Sequence, residues 1–196
     1  MKKIKNFRET IISAVLLLLL IMVTSLTNAQ VKYATKNDLN LLVSGTSTLH
    51  DWDMKAAKGE CAAVFTFNST GDITALISMN ISMPAEALKS EHSGMDKNAY
   101  KALKTDKAPI ISYKLTSATI TSGNTIKCTG KLTIAGATRE AEVTATYKVN
   151  SDKSITVTGR KNISMKDFSM EPPTFMMGTI KTGNDIVLKF DLTLRK

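Results

Sequence analysis

Ile73-Thr74-Ala75-Leu76-Ile77-Ser78-Met79-Asn80-Ile81-Ser82-Met83 decides the fold class. Ile73, Ala75, Ile77, Met79, Ile81 and Met83 share one face. Thr74, Ser78, Asn80 and Ser82 take the other, with Leu76 the exception. Side chains alternate across a strand, so this period of two predicts a half-buried antiparallel strand. Seven more stretches read the same way. Their apolar faces run from Leu39 to Leu49, Cys61 to Phe67, Ile111 to Leu115, Ile126 to Ile134, Ala141 to Val149, Ile155 to Met165 and Ile186 to Leu194. Eight amphipathic strands can close into a barrel that is filled by side chains or holds one small ligand. The inward set includes Gly45, Ser47, Ala63, Ala75, Gly130, Ala141, Ala145 and Gly159, and so many small residues predict an unfilled, apolar interior.

The links between strands fit an up-and-down order. Asn68 to Asp72, Ser122 to Asn124, Ala135 to Ala137 and Asn150 to Lys153 are short and rich in turn-forming residues. Two connections are longer. Residues 84–109, between the third and fourth strands, contain Ser93-Gly94-Met95-Asp96, a capping-box pattern. Met95, Ala99, Tyr100 and Leu103 follow at helical spacing, predicting a short amphipathic helix over about 93–105. Residues 166–184 carry Phe168, Met170, Phe175, Met176 and Met177 around Pro172-Pro173. A connection this long and apolar reads as a lid over the barrel's open end.

The chain begins with Lys2, Lys3, Lys5 and Arg8, then the apolar run from Ile11 to Leu26, then Thr27-Asn28-Ala29. This pattern predicts a secretory signal peptide over 1–29, cleaved near Ala29/Gln30, and one domain over 30–196, periplasmic or secreted. Removing the segment's +3 from the formal +9 leaves +6. That charge suits solubility, is compatible with transient membrane-surface contact and gives no reason to expect nucleic acid. Export permits a disulfide, and the inward positions of Cys61 and Cys128 leave open either a cross-barrel bond or two buried thiols.

Enzymatic signatures are missing. His50 and His92 are the only histidines, and no nucleophile elbow, zinc-protease motif or phosphate loop occurs. The apolar faces carry essentially no acid, so no catalytic residue, cofactor or metal site is expected. Scattered methionines can bind soft metals, which keeps a periplasmic metal-handling protein as a lesser alternative, but they also conform to apolar chains.

Gly130-Lys131-Leu132-Thr133-Ile134-Ala135-Gly136-Ala137-Thr138-Arg139 resembles the G-x-L-T-I-x-G-x-T-R signature of the YceI-like family. Ala108 to Tyr113 resembles its Y-P-x-I-x-F segment, with Ala108 and Tyr113 as departures. Met165 to Met170 resembles R-x-D-F-G-I, with Met165 in place of Arg and Ser169 in place of Gly. The resemblance implies an eight-stranded, lipocalin-like antiparallel barrel holding a long isoprenoid lipid, polyprenyl or quinone-like, without catalysis. The expected tunnel and mouth comprise Val43, Phe65, Phe67, Ile77, Met79, Met95, Tyr100, Tyr113, Leu132, Val143, Phe168, Met170, Phe175, Met176 and Phe190. His50 and Trp52, in the distinctive Ser44–Trp52 segment, are candidate headgroup contacts. The competing class is a structural or interaction module whose barrel is packed solid.

Overall fold

The computed structural model describes residues 29–196, apart from the side chains of residues 36–38. The expected signal segment, all but Ala29, lies outside the described residues. Ten strands follow: β1 (Ala29–Ser47), β2 (Trp52–Ala56), β3 (Glu60–Phe67), β4 (Ile73–Pro84), β5 (Ile110–Thr121), β6 (Thr125–Ile134), β7 (Ala137–Val149), β8 (Ile155–Ser164), β9 (Thr174–Phe175) and β10 (Ile180–Arg195). One α-helix, α1 (Ser93–Leu103), stands between β4 and β5. Eight strands form an antiparallel ring in the order β1-β3-β4-β5-β6-β7-β8-β10, and β10 closes onto β1. No described helix is long and apolar enough to cross a membrane.

Tight turns keep successive strands adjacent. In the β5–β6 hairpin the three-residue turn between Thr121 and Thr125 holds Gly123 and Asn124 at positive φ, 72° and 53°, which glycine and asparagine tolerate best. The β4 alternation breaks twice, first at Thr74, between the Phe67–Ile73 and Thr66–Ala75 pairs, and again at Ile77. Val64 pairs with Ser78 but Phe65 pairs with Leu76, so Ile77 is the extra residue of a bulge. The bulge flips the phase: Leu76 is buried and Ile77 is 51% exposed. Ile77 therefore faces solvent and does not line the interior.

The ring is imperfect in two places. The first half of β1 pairs with β3, through Ala29–Ala34, and its second half pairs with β2, through Leu41–Gly45. Beyond β2 the sheet continues only through an isolated bridge, Lys55 to Lys89. The second gap lies between β7 and β8, which pair only over Thr144–Val149 and Ile155–Arg160. Past that point the strands part, and a 3₁₀ turn, Met165–Phe168, packs into the opening. Lys161, the one charge on an inward phase, is half-buried where they part.

The two ends of the barrel differ. One is packed solid around Tyr33, Phe65, Ile126, Ile155 and Leu194. Tyr33 stacks edge-on against Phe65 at 5.8 Å and lies tilted 6.0 Å from Phe67. The small inward residues do not leave the space their sizes suggest. A Cβ on Gly130 would strike the Tyr113 ring, and one on Gly159 the Phe190 ring. Small side chains here seat aromatic rings from the neighbouring strand, which plugs mid-barrel.

Candidate functional site: an apolar cavity at the open end

The unpaired edge of β2 is where the wall changes from sheet to helix. The segment after β4 crosses the gap and is stitched to it: Lys55 N–H donates to Lys89 O at 2.7 Å, and Lys89 N–H donates to Lys55 O at 2.8 Å. Helix α1 is then fixed against this segment. The Tyr100 hydroxyl lies 2.9 Å from Leu88 O and 3.0 Å from Glu86 O. Asp96 accepts from Ser90 N–H at 2.7 Å and Ser90 Oγ at 2.8 Å, rather than closing the expected capping box on Ser93. Burial opposes its ionisation, but the two Ser90 bonds and nearby Lys89 outweigh that and hold the carboxyl below its usual range. Lys104 Nζ donates to Ser169 O at 2.7 Å, joining the helix to the connection after β8.

Held this way, α1 turns Met95, Ala99, Ala102 and Leu103 toward the barrel. Opposite them stand Leu41 and Val43 of β1, Trp52 and Met54 of β2, and Ile186 and Leu188 of β10. Leu132 and Ile134 of β6, with Ile163 and Met165, form the floor. The cavity, open at one side, is about 260 Å³. No Asp, Glu, Lys or Arg lines it, and its polar groups are Ser47, His50, His92, Thr182 and the Trp52 indole N–H. The indole lies across Gly45, where no Cβ would fit, and Nε1 donates to Thr46 O at 3.0 Å. A cavity so lined favours apolar matter, and its titratable side chains are the two histidines alone.

The mouth is built from two loops. Leu49 and His50 come from the β1–β2 turn; Met170, Pro173 and Phe175 come from the connection between β8 and β10, and Ile180 opens β10. Thr48 locks the loops together: its N–H donates to Lys181 O at 3.0 Å, and Lys181 N–H donates to Thr48 Oγ1 at 3.1 Å. His50 Nδ1 lies 2.6 Å from Asp51 O, and the residue lines the cavity.

A family model described as the YceI-like domain matches residues 27–194. The chain belongs to the YceI-like family. Solved structures share the fold at low identity. Burkholderia cenocepacia BcnA superposes with a TM-score of 0.69 at 14% identity, covering 83% of this chain and 99% of that one. A Campylobacter jejuni YCEI protein gives 0.55 at 19%, covering 69% and 81%. A structure described as a polyisoprenoid binding domain from Saccharophagus degradans, implicated in plant cell wall breakdown, gives 0.61 at 10%, covering 85% and 99%. No curated protein matches the sequence.

In this YceI-like chain the expected site residues divide. Val43, Met95, Leu132, Met170 and Phe175 meet in the cavity wall, with His50 and Trp52 at its mouth and rim. Phe65, Phe67 and Phe190 belong to the packed end, because rings from adjacent strands fill that volume. Met79 and Val143 sit half-buried against the clusters, outside the cavity. Tyr100 is a strap that ties α1 down, since its hydroxyl is spent on two carbonyls. Phe168 packs beneath the cavity in the β7–β8 gap. Met176 is 74% exposed because a left-handed turn, φ 47° at Met176 and 56° at Met177, points both side chains outward. Met54, Ala102, Ile163, Ile180, Ile186 and Leu188 were not singled out for the site. Ala102 was findable, since it continues the Met95–Ala99 stripe at helical spacing.

Tyr113 is only 8% exposed, and its hydroxyl is a buried polar atom without a hydrogen-bond partner among the described residues. Burial, with Cys128 nearby, pushes the phenol far above its ordinary range. Cys61 and Cys128 are both buried and free of a disulfide. Burial raises their thiols to about 12 and about 11, so neither is a ready thiolate.

Proposed function

We propose that this chain is an exported, non-catalytic carrier or sequestering protein that takes the apolar end of an isoprenoid-type lipid into the cavity beneath α1. One observation carries the reading: the cavity of about 260 Å³ has an almost wholly apolar wall with no charged side chain. The fold shared with a polyisoprenoid binding domain supports the ligand class. The basic and apolar character of residues 1–29 supports export. A cavity of ~150 Å³ holds one benzene, so this one takes roughly ten carbons, or about two isoprene units. At ~0.8 kcal/mol per buried methylene the gross gain is about 8 kcal/mol before ordering costs, which needs no polar anchor. The rival reading, a solidly packed barrel, describes the other end only.

Native mass spectrometry after gentle extraction tests this. The expected result is a fraction of the protein carrying a prenyl-lipid mass that denaturation releases. A metal adduct would support metal handling instead. Bare protein that also fails to take up added prenyl quinone would refute the reading.

A further inference from the structure

We propose that Leu49, Met176 and Met177 form a lip that docks on a lipid bilayer, so that the cavity takes the end of a lipid whose remainder stays in the membrane. The inference rests on the lipid-binding reading for its cargo but has its own evidence in the surface. Leu49 is 65% exposed, Met176 74% and Met177 105%, the three most exposed large apolar side chains among the described residues. Leu49 lines the cavity mouth, and Met176 and Met177 follow directly on Phe175, which lines it from the other loop. The others, Ile77, Ile110 and Val149, are scattered on separate strands of the barrel wall.

The lip is built as one piece. Thr48, beside Leu49, exchanges backbone and side-chain hydrogen bonds with Lys181, which holds the two loops in register. Met176, Met177 and Gly178 have φ of 47°, 56° and 87°, and this turn presents two long apolar side chains away from the barrel. The same loops line the mouth with Leu49 and Phe175, and Ile180 adds to it from the start of β10, so an apolar path runs from the lip into the cavity.

The occupant follows from size and chemistry. A cavity that takes about two isoprene units cannot shelter a longer chain, and the remainder exposed to water would lose what the cavity gains. A bilayer is the apolar phase that such a remainder already occupies. Asp51 and Lys181 flank the lip with opposite charge, so the attachment is apolar rather than electrostatic and should resist salt.

Wild type is compared with L49S/M176S/M177S, with M177S alone and with I77S on the barrel wall; any contribution of residues 1–28 is common to all. Co-sedimentation with phosphatidylcholine vesicles reads docking. Quenching of Trp52, the only tryptophan, by a tetraprenyl benzoquinone supplied in vesicles reads uptake. The triple variant should lose vesicle association at least tenfold and M177S several-fold, with uptake slowed in parallel. I77S should match wild type, added salt should not release the protein, and quinone binding from detergent should be unchanged in M177S and I77S, whose side chains lie outside the cavity wall. A triple variant that sediments and takes up quinone like wild type overturns the proposal. So does release of wild type by salt, or wild type that never sediments. Failure of the quinone to quench Trp52 even from detergent refutes the lipid-binding reading instead, while sedimentation still judges the lip.

Discussion

Adding the same side chain at the two ends of the barrel should give opposite results. Ala102 faces the cavity from α1. Ala145 is buried at the packed end, paired between fully buried Ile126 and Gly159, over which Phe190 already lies. A phenyl ring takes up ~150 Å³, more than half of the cavity. Ala102→Phe should leave room for about four of ten carbons, a loss near 5 kcal/mol and at least a hundredfold in Kd. Its stability should change by no more than about 1 kcal/mol, because burying the ring offsets its lower helix propensity. Ala145→Phe has no such space and should destabilise by about 3 kcal/mol or more, while the folded fraction binds as wild type does. Urea unfolding gives the stabilities, and Trp52 quenching by a diprenyl benzoquinone gives the affinities. Undiminished binding by Ala102→Phe, or abolished binding by a folded Ala145→Phe, would refute the division into an open and a packed end.

Three further outcomes follow from particular contacts. Gly45→Ala should push the Trp52 indole off its seat and weaken its bond to Thr46 O, costing about 2 kcal/mol and red-shifting the emission; an unchanged spectrum and midpoint would count against this packing. Tyr113→Phe removes the unpartnered buried hydroxyl and should stabilise the protein by about 1 kcal/mol in chemical denaturation; a clear loss would reveal a partner for that hydroxyl. Folding holds the Cys61 and Cys128 thiols protonated to about 12 and about 11, above the 9 of a free thiol. Above pH 9 the unfolded chain therefore binds fewer protons than the native one, and stability falls as pH rises, by roughly 1 kcal/mol per unit for each thiol. Cys61→Ala should flatten that fall, and an unchanged pH slope would be evidence against the shift.

The ring of strands was legible because period two depends only on which residues face the core, and that pattern survives in a single chain. The Ile77 bulge was not, because a bulge is a property of pairing with β3 and leaves no mark beyond Leu76 sitting out of phase. β2 was not legible either, because its five residues, Trp52 to Ala56, are too few to establish a period. The small inward residues were the most misleading signal. Gly130 and Gly159 look like empty space along their own strands, yet the rings that occupy it, Tyr113 and Phe190, come from the neighbouring strands. The half of the site built on α1 and the long connection was partly visible through Met95, Leu103, Met170 and Phe175. Loop residues have no parity, so nothing local distinguished inward Phe175 from outward Met176.

The central claim is that an apolar cavity confined to one end of the barrel accepts the terminal part of an isoprenoid chain. Titrating Trp52 fluorescence with prenyl benzoquinones of increasing chain length tests it most directly. Saturable quenching should tighten steeply as the chain grows to about two isoprene units, then level off as the cavity fills. Absence of saturable quenching at every length would contradict the claim. Affinity that keeps climbing through long chains would contradict the confinement, because the chain would then have to displace Tyr113 and Phe190 and run on into the packed end.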